Sequence, residues 1–363
     1  MPRPTLKDVA ERASVSVSTV SYALNDHAHV HLAPETRARV RRIAKELGYT
    51  PNAMARSLRS RSSRTIGVVI SKPLTNLRYA AILQGTATGL AAGGLRLAML
   101  PDPTADTVLE DCRNGMLDGL IFVGHDDAVP PEALVAAAAD GTAPLVTIDC
   151  GTPAEGAPHS SVDFDYSHGA QEMIDHLQER GISTVLHLRP EVSSRAERER
   201  QVTLMRALGA ADGMSLRVVS TQLSDDDLAA ADTGSPDATA RHLATTLSGL
   251  SEALRSSPSA PSATAVLCSW GADAETALKA VSEVSPGAVV AALAGSWPRP
   301  EIWPGLVYSR LPLEEAGRRA AELIAEELRP EPSHGHLMLR PTLDRADSPL
   351  HGSSDSPFRK DPA

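Results

Sequence analysis

The sequence predicts a small all-helical head joined to a large α/β body, an α + α/β chain of 363 residues. Three observations carry that prediction. Residues 5–48 show helical periodicity, with caps and breakers at short intervals and no strand pattern. From Thr65 onward, apolar runs of strand length alternate with helical stretches. The charge divides at the same place. Residues 1–64 hold twelve basic and five acidic residues, net +7, whereas the whole chain is −10 and the remainder therefore −17. A basic head on an acidic body suits a polyanion-binding module attached to a body that does not bind nucleic acid.

Composition narrows the class. The chain is 42% hydrophobic and 22% charged, ordinary for a soluble globular protein, and only 3% aromatic. Cys112, Cys150 and Cys268 are far apart, odd in number and in no metal-binding spacing, which argues for a reducing compartment. The start, MPRPTLKDVAERA, has no apolar signal core, and no run approaches the ~18 apolar residues of a membrane helix. The expectation is a soluble, cytoplasmic protein.

In the head, Thr5-Leu6-Lys7-Asp8 reads as a capping box, and Leu6, Val9, Ala10 and Ala13 fall on one helical face. Ser14-Val15-Ser16 breaks the helix, and Ser16 can cap a second one, Val17 to Leu24. That helix is expected to bury Val20 and Leu24 and to expose Val17, Ser18, Ser21 and Tyr22. Pro34 opens a third helix, with Val40, Ile43, Ala44 and Leu47 inward and Gly48 as the stop. Three short helices with a tight turn between the first two describe a helix-turn-helix. The short side chains of Ser16, Val17 and Ser18 let the second helix approach a major groove closely. Thr50 to Arg59 can form a brief helix, too short to be stable alone. Leu58 among its basic residues suits insertion between base steps in a minor groove, with a frayed linker as the alternative. His27, His29 and His31 alternate in a loop and could face one way. With no completing ligand beyond Asp26 nearby, a solvated loop beside a DNA backbone is favoured over a metal site.

In the body, strands are expected at Thr65–Ile70, Leu95–Leu100, Gly119–Val123, Pro144–Ile148, Thr184–Leu188, Leu216–Ser220, Thr264–Ser269 and Ala288–Leu293. Helices are expected at 77–92, 104–115, 132–140, 166–180, 195–208, 238–255, 273–283 and 313–328. This alternation means parallel sheets covered by helices, in two such units. No phosphate loop, dinucleotide fingerprint, nucleophile elbow or HExxH zinc motif is present. His125, His168, His176 and His187 read as structural or exposed. Asp126-Asp127 reads as a solvated loop rather than a cation site. No catalysis, cofactor or metal is expected.

The segments TLKDVAERASVSVSTVSYALN, PETRARVRRIAKELGYTPNAMARSL and RTIGVVI resemble the lactose/galactose repressor family of bacterial transcription regulators. The likeness is dense over residues 5–70 and weaker to about Ser348. It implies a helix-turn-helix domain over 1–49, a hinge helix and linker over 50–64, and a periplasmic-binding-protein-like core over 65–345. The lobes of that core would lie near 65–162 and 163–292, with 293–345 recrossing, and 346–363 would be a disordered tail. The resemblance further implies a homodimer on a pseudo-palindromic operator, acting as a repressor with DNA affinity set by a small-molecule effector. Val17, Ser18 and Tyr22 would then read the major groove, while Thr5, Leu6, Ser16, Thr19, Ser21 and Asn25 would contact or position phosphates. Asn52 and Ala55 would serve the hinge, and Leu58 would intercalate. Tyr22 departs from the arginine frequent there, which implies a changed base preference.

For the effector, the resemblance points to Tyr79, Asp165 and Arg198. It departs from the family where sugar hydroxyls are bound. Trp270-Gly271 replaces an Asn-Asp pair, Ala294 replaces an aspartate, and Tyr166 stands where Asn is usual, although Asp273 could compensate. Trp270 could stack on a flat ligand while Arg198 takes an anion. Alternatively, the pocket is degenerate and the regulator effector-independent. A solute-binding receptor is the rival from another class, opposed by the basic head and the lack of an export signal. The tail shows no leucine heptad for tetramerisation.

Overall fold

Thr65-Ile-Gly-Val-Val-Ile70 is apolar on both faces, which suits a strand covered by helices on both sides. That is where it lies, in a six-stranded parallel sheet. The structure is a computed structural model describing residues 4–24, 32–49, 62–101, 104–124, 127–191, 194–210, 213–221, 230, 236–269, 273–293 and 305–345. It divides into two units, residues 1–64 and 65–363.

The head contains α1 (Leu6–Ala13), α2 (Val17–Leu24) and α3 (Pro34–Glu46). Val9, Ala10, Ala13, Val20, Ala23, Val40, Ile43 and Ala44 form its core. Small residues dominate this list, so the helices approach closely. Gly48, at a φ of 65°, stops the chain after α3 in the left-handed conformation that glycine adopts without strain. Asn25, the three loop histidines and the expected hinge helix lie outside the described residues.

The first lobe of the body places β1 (Thr65–Ile70), β2 (Arg96–Pro101), β3 (Gly119–Val123), β4 (Leu145–Ile148) and β5 (Ser160–Phe164) in one sheet with β11 (His336–Leu339). The strand order is β11-β5-β4-β3-β1-β2. Alternate residues face opposite layers. Ile66, Val68, Ile121 and Ile148 meet α4 (Leu77–Ala92) and α11 (Leu313–Glu327) on one side. Val69, Leu120, Phe122 and Leu145 meet α5 (Ala105–Arg113) and α6 (Glu132–Ala139) on the other. Each fully buried Leu or Ile contributes about 1.5–3 kcal/mol relative to exposure.

The second lobe repeats the plan with β6 (Thr184–Arg189), β7 (Ser215–Ser220), β8 (Thr264–Cys268), β9 (Val289–Ala292), β10 (Leu306–Arg310) and β12 (Thr342–Asp344). Their order is β12-β10-β9-β8-β6-β7, with only β12 antiparallel to its neighbour. Leu188, Val266 and Val290 pack under α9 (Pro236–Arg255) and α10 (Ala274–Val284). Val185, Leu267 and Ala291 pack under α7 (Tyr166–Glu179) and α8 (Arg195–Ala210).

The chain passes between the lobes at three places. It leaves the first sheet after β5, returns from β10 to α11, and crosses again between β11 and β12. The expected strands did not include β5, β10, β11 or β12. β5 reads Ser-Ser-Val-Asp-Phe, and its polar residues hide a strand that is buried along its whole length. β11 and β12 are short and half-exposed, so they lack a strong apolar signal.

Candidate functional sites in the head and the cleft

In the head, both predicted caps are made. Thr5 Oγ1 accepts from the Asp8 amide at 3.4 Å, and the Asp8 carboxylate accepts from the Thr5 amide at 2.7 Å. Ser16 Oγ accepts from the Thr19 amide at 3.1 Å and lies 2.8 Å from the Thr19 hydroxyl. Between them Ser14, at a φ of 50°, makes the tight turn. The turn delivers the N-terminus of α2 with Ser16, Val17 and Ser18 exposed. Tyr22, one turn further on, is also exposed. At the other end of the helix, Arg41 on α3 donates Nε to the Ala23 carbonyl at 3.2 Å. That bond satisfies a terminal carbonyl of α2 and fixes the helix's angle against α3.

Two expectations change here. Ser21 is buried rather than exposed, alongside Val20 and Ala23, so its short side chain braces α2 and is not presented to a phosphate. Leu24 is half-buried rather than fully inward. Leu6 is half-buried and packs against the head's core. Asn25, Asn52, Ala55 and Leu58 lie outside the described residues.

In the body, the carboxyl ends of both sheets converge on a cluster of charges. In open α/β sheets this is where ligands bind. From the first lobe come Arg78 on the first turn of α4, Asp149 directly after β4, and Asp163 in β5. From the second come Arg195 and Arg200 on α8. Tyr166 opens α7, at the crossing between them. Arg195 bridges the lobes, donating one nitrogen to Asp149 at 2.7 Å and to Asp163 at 2.8 Å. Arg78 donates to Asp149 at 2.5 Å and to the Tyr166 hydroxyl at 2.7 Å. That hydroxyl donates in turn to Asp149, 2.9 Å away. Asp149 sits at a φ of 59°, an unusual conformation for a residue with a Cβ, held by these three partners.

Burial sets the protonation. Burial pushes Asp163 up to about 6, against the downward pull of Arg195. Burial also raises the Tyr166 hydroxyl above the ordinary tyrosine range. Arg200, only 3% exposed, is lowered by burial and partly restored by Tyr166, whose ring its guanidinium covers at 4.5 Å. It also donates to the Ser269 carbonyl at 3.4 Å. Behind it the Ser269 hydroxyl donates to Glu197 at 3.0 Å and lies 2.6 Å from His187 Nε2. Burial depresses His187 to about 3, so this imidazole is neutral at physiological pH.

The predicted effector residues are dispersed. Tyr79 packs into the first-lobe core. Asp165 caps α7, accepting from the His168 amide at 2.8 Å. Arg198 is 58% exposed and grips Asp127 across the lobes at 2.7 and 2.9 Å. Asp273 is buried 2.7 Å from His242. Trp270, Gly271, His125, Asp126 and Ala294 lie outside the described residues. Sequence reasoning missed Arg78, Asp149, Asp163, Arg195 and Arg200 as cleft residues, and it noted Tyr166 only as a departure. The signal for Arg200 was present. Leu204 and Leu208 are core positions of α8, and counting back four and eight residues reaches Arg200, not Arg198.

Comparison with known proteins joins these two halves. Residues 5–52 match the family model described as bacterial regulatory proteins, lacI family. Over those residues the head is similar to the lacI family. The catabolite control protein A of Staphylococcus xylosus is 30% identical over 199 residues, 54% of this chain and 58% of that protein. The match thus spans little more than half of the curated relative. The crystal structure of the lac repressor dimer bound to operator and the anti-inducer ONPF shares the fold. It has a TM-score of 0.70 at 20% identity, over 95% of this chain and 99% of that one. The complex of the transcriptional regulator CelR with cellobiose aligns over 94% and 98%, with a TM-score of 0.56 at 23% identity. Among the described residues no helix is long and apolar enough to cross a membrane.

Proposed function

We propose that the chain is a sequence-specific DNA-binding transcription regulator, a repressor that binds a pseudo-palindromic operator as a homodimer in the cytoplasm. The observation that carries this reading is the presentation of α2. A capped, tightly turned helix offers Val17, Ser18 and Tyr22 outward from a +7 head, within the segment that matches the lacI family. Short side chains at the helix start permit close approach to base edges, and the basic residues supply a salt-dependent hold on phosphates. Leu58, followed by Arg59, is the residue assigned to the minor groove.

The body reads as the control element. A small molecule between the lobes would alter their relative orientation, and operator affinity would change by linkage. The charged cluster at the carboxyl ends of the strands is the place for it, with Arg200 as the buried cation facing Tyr166. No enzymatic activity is part of this reading.

The test is selection of bound duplexes from a random pool by the purified protein, repeated with Leu58→Ala. A palindromic site recovered by the wild type, with weaker binding and bending by the variant, is expected. Salt-sensitive binding without any sequence preference would overturn the reading.

A further inference from the structure

Among the described residues, the chain's own side chains meet at the crossing between the lobes. Tyr166 is 2% exposed. Its ring lies in the first-lobe core beside Phe164, with ring centroids 6.0 Å apart. Two guanidiniums from the second lobe cover that ring, Arg200 at 4.5 Å and Arg195 at 5.6 Å. The hydroxyl is held between Arg78 and Asp149, and Asp149 is itself held by Arg195. Ala196, next to Arg195 on α8, packs against the first-lobe core. A second bridge, Arg198 to Asp127, joins the lobes at an exposed position.

Each of these interactions is one that a ligand joining two lobes would otherwise make. A ring under a guanidinium, a hydroxyl between a cation and a carboxylate, and a charge pair across the gap are all supplied internally. Asp149 and Asp163 face Arg78 and Arg195, while Arg200 lies against the Tyr166 ring and the Ser269 carbonyl. A neutral sugar would have to displace a buried tyrosine ring and separate buried ion pairs while bringing no charge to replace them.

Resting on the regulator reading above, we propose that Tyr166 determines what the cleft admits. It is an internal occupant that latches the lobes together through Arg195, Arg200, Arg78 and Asp149, and it excludes neutral saccharides. Control of DNA binding then acts by breaking this latch rather than by filling a vacant sugar site.

The experiment uses the full chain without DNA, so that it stands apart from the operator test. Hydrogen exchange is followed at residues 149–151 and 198–204 in wild type, Tyr166→Asn and Arg195→Gln. The Gly151 amide donates to Asp163 at 3.2 Å and reports the latch directly. Arg195→Gln opens no cavity, so it tests the bridge if Tyr166→Asn does not fold. Glucose, galactose and cellobiose at millimolar concentration are titrated into the wild type and each folded variant by calorimetry. Exchange at both segments at least about tenfold faster in each folded variant is expected, with the rest of the core unchanged. No saccharide heat is expected in the wild type. Wild-type binding of any of the three sugars, or unchanged exchange in Arg195→Gln, would overturn the latch. Loss of sequence-specific DNA binding by the wild type, with the exchange results intact, would instead overturn the regulator reading.

Discussion

His242 on α9 holds its Nε2 2.7 Å from the carboxylate of Asp273, ahead of α10, and the aspartate is almost wholly buried. Thr246, one turn along α9, lies 3.4 Å from the other ring nitrogen and keeps the imidazole aligned. Asp273 is therefore committed to joining two helices of the second lobe. Replacing His242 with alanine strands a buried carboxylate, at an expected cost of about 1–3 kcal/mol. Urea unfolding of His242→Ala measures it. A loss within error of zero would mean that Asp273 finds water or another partner.

Asp273 also marks where sequence reading stops. Its position downstream of β8 suggested a carboxylate facing a ligand, but spacing alone does not say which neighbour arrives first. Where apolar pattern decides, the reading was close. β1 and α4 run between the residues that the alternation and the periodicity predicted. Cleft residues are harder because their partners come from segments far apart in the chain, and no local pattern records those meetings. α8 shows the difference. Val202 and Met205 are exposed on the stripe that continues from Arg198, whereas Leu204 and Leu208 share the inward stripe with Arg200. Rotation of the helix was legible from its apolar residues. The distance from Arg195 to Asp149 was not.

Asp163 supplies a pH prediction. Burial raises it from an ordinary 3.8 to about 6, so the native state holds this proton more tightly than the unfolded chain. Between these values the native state carries the extra proton, and stability falls as pH rises. Two units at ~1.4 kcal/mol each bound the loss at about 3 kcal/mol. Asp163→Asn cannot titrate at this position. Denaturant unfolding at pH 4.5, 5.5 and 7 should therefore show the stability of wild type relative to Asp163→Asn declining with pH. A flat or rising difference would refute the buried, Arg195-opposed carboxyl.

Glycine positions give a prediction with opposite signs. α4 and α11 meet so closely that a Cβ on Gly317 would run into the backbone of Ile82 and Thr86, and one on Gly85 into the Glu314 carbonyl. Backbone cannot rotate aside, so Gly317→Ala should destabilise by about 1–3 kcal/mol or more despite alanine's better helix propensity. Gly209 near the end of α8 has open space around it. There the same substitution should stabilise by about 0.5–1 kcal/mol. Thermal melts of the two variants should move in opposite directions, and parallel shifts would contradict the close approach.

Tyr22 carries the prediction about recognition. It is exposed on α2, one turn beyond Ser18, and the helix that bears it is tied down by Arg41 at the Ala23 carbonyl. A tyrosine offers a base edge one hydroxyl and a ring, whereas arginine can bond guanine through two parallel hydrogen bonds. Tyr22→Arg should therefore shift one position in each operator half-site toward guanine, by about 1–3 kcal/mol of discrimination. Tyr22→Ala should relax that same position and leave the others, because the buried residues that orient α2 are untouched. Duplex selection with all three proteins reads both effects at once. An unaltered preference in Tyr22→Ala would show that Tyr22 does not reach the bases, and the reading of sequence would pass to Val17 and Ser18.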